Sequence, residues 1–163
     1  MKTLLLLRHG KSDWDAPYVH DHDRPLAKRG RKAARKMGRW LAERGPVPDR
    51  IVSSTAVRAR TTARRANDKG GWNAPVTLDE ALYGASPRDV LALVRAEAEA
   101  TGVLMLVGHE PTWSETVDAF VGGFDEHFPT AAIARIDFDV ARWSEVGFGA
   151  GRLVWIARPR DLD

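Results

Sequence analysis

The sequence predicts an α/β fold: a three-layer α/β/α sandwich with a mostly parallel central sheet. Two short, continuously apolar runs, "TLLLLR" at 3–8 and "VLMLVG" at 103–108, end abruptly in polar residues. Such runs suit central parallel strands covered on both faces. Between the strand-like runs lie stretches with helical apolar spacing, and alternating strands and helices build layered, largely parallel sheets.

After the first strand, residues 26–44 read as a helix with Ala33, Ala34, Met37, Trp40 and Leu41 on one stripe. "DRIVSS" (49–54) is a second short strand, followed by a helix over 56–68, and "APVTLD" (74–79) is a weaker, peripheral strand. "SPRD" opens a helix over 87–99, with Ser86 at the N-cap and Pro87 at the first helical position. The strand at 103–108 leads to a helix over 112–121, which Pro111 could start. "AIARIDFD" (132–139) and "GRLVWIA" (151–157) form a late hairpin around a Gly-containing loop.

At 163 residues, 44% hydrophobic and 29% charged, the chain fits one globular domain over 1–163. The absence of cysteine excludes thiol nucleophiles, disulfides and thiolate metal sites. Four consecutive leucines fall short of the roughly 7 apolar residues of a signal peptide and the roughly 20 of a membrane span, so a cytoplasmic protein without a membrane partner is expected. The net charge of +3, from 25 Lys and Arg against 22 Asp and Glu, is too small an excess to indicate a nucleic-acid partner. The cations do crowd into 27–39 and 58–65, where solvated helix faces could also attract an anion.

Ligands of such sheets collect at the carboxyl ends of the strands, and three of those ends carry chemistry. Arg8 and His9 follow the first strand, with Gly10 allowing close approach of backbone to a bound group. Arg58 falls near the start of the helix after the second strand, and Gly108 and His109 follow the fourth. A single histidine or arginine in such a place is usually structural; the conjunction of four is what points to a site. Two guanidinium forks can clamp a phosphoryl group. One neutral imidazole can attack phosphorus, while the other donates hydrogen bonds to the phosphoryl oxygens.

"LLLLRHGKSDW", "SSTAVRARTTA" (53–63) and "LVGHEPTW" (106–113), in that order across residues 3–113, resemble the histidine phosphatase, or phosphoglycerate-mutase-like, superfamily. The short chain, the "KSDW" after "RHG", the segment 21–41 and the lack of a large inserted helical subdomain are similar to its SixA-type phosphohistidine phosphatases. The resemblance implies a phosphoglycerate-mutase-like fold and a hydrolase working through a covalent phosphohistidine. His9 would be the phosphoacceptor, Arg8 and Arg58 the phosphate clamps and His109 the second histidine of the pocket, with no metal or organic cofactor. It implies protein phosphohistidine as substrate. Alternatives are a small phosphorylated metabolite, cleaved by a phosphomonoesterase or pyrophosphatase, and a non-catalytic phosphate-binding module.

The chain departs from that pattern in places. Many relatives carry an Asn shortly after "RHG"; here stand Ser12, Asp13, Trp14 and Asp15, and a carboxylate at Asp15 would repel phosphate. Gly10, Ser12 and Arg24 are candidate substrate contacts. Glu80 in "TLDEALYG" sits where the mutase-like pattern places a general acid, with solvent as the other proton source. His20, Asp21, His22 and Asp23 alternate like metal ligands, but no further ligand cluster is evident and no metal is expected. Trp14, Tyr83 and Trp113 follow the motifs closely and could wall a substrate groove.

Overall fold

The computed structural model describes residues 1–162. The chain runs β1 (Lys2–Arg8), α1 (Lys28–Arg44), β2 (Arg50–Ser53), α2 (Val57–Gly70), β3 (Val76–Leu78), α3 (Pro87–Arg95), β4 (Val103–Gly108), α4 (Thr112–Val121), β5 (Ile133–Phe138) and β6 (Gly151–Ala157). Short 3-10 turns at Asp21–Asp23, Glu80–Leu82, Trp143–Glu145 and Pro159–Asp161 punctuate the loops.

One six-stranded sheet has the order β3-β2-β4-β1-β5-β6. The first four strands of that order run parallel, while β5 and β6 are antiparallel and form the expected hairpin. Side chains of a strand alternate between its two faces, and the four leucines of β1 divide accordingly. Leu5 and Leu7 pack with Met37, Leu41, Ala59 and Ala63 of α1 and α2. Leu4 and Leu6 pack with Val90, Val94, Val117 and Phe120 of α3 and α4. All four are fully buried, and burial of a leucine side chain is worth about 2 kcal/mol. A run with no polar alternation is therefore what a strand between two helical layers requires.

The expected elements are present with adjusted ends. Ser86 caps α3 in a reciprocal capping box with Asp89. That helix stops at Arg95 rather than 99: the Glu97 carboxylate turns inward to accept from Arg50 Nη1 at 2.7 Å and from Ala98 N. β3 shrinks to three residues at the sheet edge. Gly71 and Gly122 end α2 and α4 in the left-handed conformation, which lacks the Cβ penalty only for glycine. Among the described residues, no helix is long and apolar enough to cross a membrane.

Candidate active site

β4 lies between β1 and β2, so the ends of these three parallel strands are immediate neighbours. His9 N donates to Gly108 O at 3.0 Å and Ser54 N to Val107 O at 2.9 Å, extending the ladder one residue past each strand. This extension brings His9 and His109 together, with ring centroids 5.3 Å apart. Arg58, in the first turn of α2, and Arg8, the last residue of β1, complete the predicted quartet.

His9 is buried, and its Nδ1 lies 2.7 Å from Gly10 O. A carbonyl only accepts, so Nδ1 carries the ring proton and Nε2 presents a lone pair. Burial pushes the His9 pKa down to about 3; the Gly10 carbonyl opposes this, and the charges of His109, Arg58 and Arg8 add to it. The imidazole is neutral at neutral pH. Thr62 holds the turn behind it, accepting from Gly10 N at 2.9 Å and donating to Arg58 O at 2.7 Å.

His109 Nε2 lies 2.8 Å from Ser54 Oγ, a fully buried hydroxyl that also accepts from Ala56 N. Its Nδ1 is buried and has no partner within the protein. Burial pushes the His109 pKa down to about 4, helped by Arg58, Arg8 and Arg24 and opposed by Asp21. Arg8 donates through Nη1 to Phe128 O at 3.0 Å, and burial lowers its pKa against the pull of Glu110. The Nε atoms of Arg8 and Arg58 are likewise buried without partners. Guanidinium and imidazole groups thus surround the site with hydrogen-bonding capacity left unused, the arrangement a multivalent anion satisfies.

Sequence reasoning named Asp21 only in a metal-like run and missed its role beside Arg58. Its carboxylate accepts from Arg58 Nη2 at 2.9 Å, from Tyr83 Oη at 2.8 Å and from Arg24 Nη1, while its backbone oxygen accepts from Arg58 Nη1 at 2.8 Å. Burial disfavours the carboxylate, but the hydrogen bonds from Tyr83, Arg58 and Arg24 outweigh it and hold the pKa down to about 2. Asp21 thereby fixes the clamp arginine and the tyrosine together. The available signal was the Asp21-x-x-Arg24 spacing, which places carboxylate and guanidinium within reach on one turn.

The other candidates are placed unevenly. Arg24 is buried, with Nε donating to Ser12 Oγ at 2.9 Å and its guanidinium carbon 3.6 Å from the Trp14 ring centre. Ser12, Trp14 and Arg24 therefore brace one another beside Asp21. Tyr83 packs edge-on against both His109 and His22, as a wall residue would. Trp113 does not wall the groove: it is buried, its Nε1 donates to Leu7 O at 2.9 Å, and its ring lies against Gly108 as a pillar of the core.

Gly10 has a reason other than space for a ligand, since a Cβ there would stand 2.7 Å from the Gly30 carbonyl of α1. Glu80 is exposed, and among the described residues no hydrogen bond or ion pair ties its side chain to the quartet. The alternating His20–Asp23 run is dispersed: Asp21 serves the arginines, His22 Nε2 lies 2.8 Å from Thr55 Oγ1, and His20 is exposed. Among the described residues, no three His, Cys, Asp or Glu side chains are grouped to hold a metal ion. The site opens into a cleft of about 590 Å³ whose lining includes Arg58, Tyr83, His109, Glu110, Thr112 and Glu115.

Comparison with known proteins adds a lineage to this geometry. The family model for the histidine phosphatase superfamily (branch 1) matches residues 4–97. An uncharacterised protein of Mycobacterium tuberculosis is 37% identical over 164 residues, covering 94% of this chain and 100% of the relative. The structure of the putative phosphohistidine phosphatase SixA from Nakamurella multipartitia is similar with a TM-score of 0.85 at 29% identity, covering 97% of this chain and 96% of that one. The SixA structure from Agrobacterium tumefaciens gives 0.82 at 30% identity, covering 97% and 98%.

Proposed function

Since the chain belongs to the histidine phosphatase superfamily (branch 1) and has the SixA-type, phosphoglycerate-mutase-like fold, we propose that it is a phosphatase. In this reading it moves a phosphoryl group from protein phosphohistidine to His9 and then to water. The observation that carries the reading is the state of His9: neutral, with Nδ1 tied to a carbonyl, so that the Nε2 lone pair is free beside two guanidinium groups.

The phosphoryl dianion sits among Arg8, Arg58 and His109, whose unpartnered N–H capacity takes its oxygens. Ser54 Oγ, already an acceptor from Ala56 N, donates its O–H hydrogen bond to the lone pair of His109 Nε2, so the ring proton of the neutral imidazole stays on Nδ1, which donates to the phosphoryl group. His9 Nε2 attacks phosphorus in line. As that bond forms, the substrate P–N bond breaks and its electron pair goes to the leaving imidazole nitrogen, which takes a proton. Water then attacks the phosphorus, the His9–P bond breaks, its electron pair returns to Nε2, and the proton of the attacking water leaves with inorganic phosphate.

Glu80 remains a candidate donor for the leaving nitrogen, with solvent as the alternative. The exposure of Glu80 and the basicity of an imidazole leaving group favour solvent. Gly10, Ser12 and Arg24 act behind the phosphate, Gly10 by admitting the first turn of α1 and the other two by bracing Asp21. A protein substrate is supported by the similarity to SixA proteins and by the exposure of Tyr83, Ser86, Pro111 and Glu115 around the cleft mouth.

Incubation with labelled phosphoramidate and with a phosphohistidine peptide tests the reading. The expected result is an acid-labile, base-stable phosphoenzyme and released phosphate from the wild type, and neither from His9→Ala. Absence of both products with every phosphoryl donor would refute it.

A further inference from the structure

Beside the nucleophile lies a second feature that the chemistry above does not use. Four of the first five residues of α1 are cationic, namely Lys28, Arg29, Arg31 and Lys32; its first turn holds no acid, and its N-cap, Ala27, makes no side-chain cap. Cations at the positive pole of a helix are electrostatically disfavoured. A local rule broken in this way often marks a functional surface.

Arg29 faces a cleft of about 210 Å³ that it lines with Lys11, Thr130 and Arg160. Lys11, Arg29 and Arg160 are all exposed. Among the described residues none of these three pairs with a carboxylate, unlike Arg24, Arg50, Arg58, Arg135 and Arg158.

The three cations come from separate segments whose backbones are tied together. Lys11 follows His9 by two residues, and its backbone oxygen accepts from Ala27 N at 2.8 Å. The 129–130 wall is tied to the nucleophile segment, because Ala131 N donates to both Arg8 O and His9 O. Lys36 Nζ donates to Pro159 O at 2.7 Å and to Leu162 O, pinning to α1 the turn that carries Arg160. The cleft is therefore a cationic ledge on a fixed backbone frame, adjoining the segment that carries His9. On the layer of α3 and α4, by contrast, the mouth of the site carries Glu110 and Glu115. A substrate protein that reaches from the ledge to that mouth meets exposed cations at the ledge and carboxylates at Glu110 and Glu115, which selects its orientation as well as its charge.

We infer that the Lys11–Arg29–Arg160 cleft docks an aspartate- or glutamate-bearing segment of the protein whose phosphohistidine enters the site, an inference that rests on the protein phosphohistidine reading. Its occupant binds through charge and leaves the phosphoryl chemistry unchanged. It therefore acts on KM for a protein substrate and not on the turnover of a small phosphoramidate.

The test uses three synthetic phosphohistidine peptides that differ only in one flank, a run of glutamates, serines or lysines. At about 50 mM salt the wild type should show a kcat/KM for the glutamate peptide about tenfold above that for the serine peptide, lying in KM and fading at about 300 mM salt. The lysine peptide should be the poorest of the three. The triple variant K11Q/R29Q/R160Q should lose the preference and keep phosphoramidate turnover. A control triple of exposed cations, R44Q/K69Q/R142Q, should keep both.

Equal turnover of the three peptides, or a preference that survives K11Q/R29Q/R160Q, would overturn the docking inference and leave the phosphatase reading intact. Hydrolysis of phosphoramidate without hydrolysis of any peptide would overturn the protein phosphohistidine reading and the docking inference together. If K11Q/R29Q/R160Q impaired only pyrophosphate hydrolysis, the cleft would serve a small polyanion instead of a protein.

Discussion

The two halves of the site are held by different physics. Arg8, His9 and His109 sit at strand ends, where backbone pairing of β1 with β4 and the carbonyls of Gly10 and Phe128 fix them without a carboxylate. Residues 11–26 form no regular strand; a short bridge of Ser12 with Leu26 closes the loop at its base, and beyond it side chains hold this half of the site: Asp21 joins Arg24, Arg58 and Tyr83, and Arg24 joins Ser12 and Trp14. A ladder of backbone bonds tolerates most changes of side chain. A network of side chains fails when one member is removed.

The contrast can be broken most directly at its centre. His9→Ala should lower kcat by about 1,000-fold or more while leaving the fold intact, as followed by phosphate release and circular dichroism. Asp21→Asn should lower kcat/KM by about 10- to 100-fold, because Arg58 and Arg24 lose their shared carboxylate, and should lower Tm as well. If Asp21→Asn left both unchanged, the loop half would not depend on its charge network.

Ser54→Ala should cost about tenfold in kcat. Long-range proton–nitrogen NMR should then show His109 losing its Nδ1–H preference while His9 keeps its own, separating a tautomer effect from general damage. The smallest effect expected is from Glu80→Gln, within about threefold on a phosphoramidate; a loss as large as that of Asp21→Asn would restore Glu80 as the acid.

Acid should distinguish the halves by where each loses stability. His9 and His109 have folded pKa values of about 3 and about 4, below the ordinary 6.5. As pH falls from 6.5 toward those values, the unfolded chain binds protons that the folded chain refuses, so stability declines across that window. Asp21 contributes stability above its ordinary 3.8, which is lost as pH falls toward about 2. Thermal melts should therefore slope downward below about pH 6.5 in the wild type and more weakly in a His9→Gln, His109→Gln double variant.

The same division decided what could be read from the sequence. Arg8, His9 and His109 were legible because unbroken apolar runs locate strand ends, and parallel strands deliver their ends to one edge. Arg58 followed from its place at a helix start. Asp21 was legible only toward Arg24, three residues on; as a support of the clamp it was not, since Arg58 and Tyr83 lie 37 and 62 residues away and its neighbours His20, His22 and Asp23 suggested a different pattern. Trp113 was misplaced because its nearness to His109 in sequence does not say which way a helical side chain turns, and its ring turns under β1. Ser54 lay within the "SSTAVRARTTA" motif, but nothing in that motif tied its hydroxyl to His109, 55 residues on.

The contact between Gly10 and Gly30 has a consequence for how this protein can change. A Cβ on Gly10 would meet the Gly30 carbonyl, and a Cβ on Gly30 would stand 2.1 Å from the Lys11 carbonyl. In each case the obstacle is main chain, which no substitution at the opposing position can trim. The usual route of mutational escape, a smaller neighbour accommodating a larger newcomer, is closed from both sides. Saturation mutagenesis should find these two positions intolerant even in second-site suppressor screens, so sequence drift must route around the contact that seats α1 against the nucleophile turn.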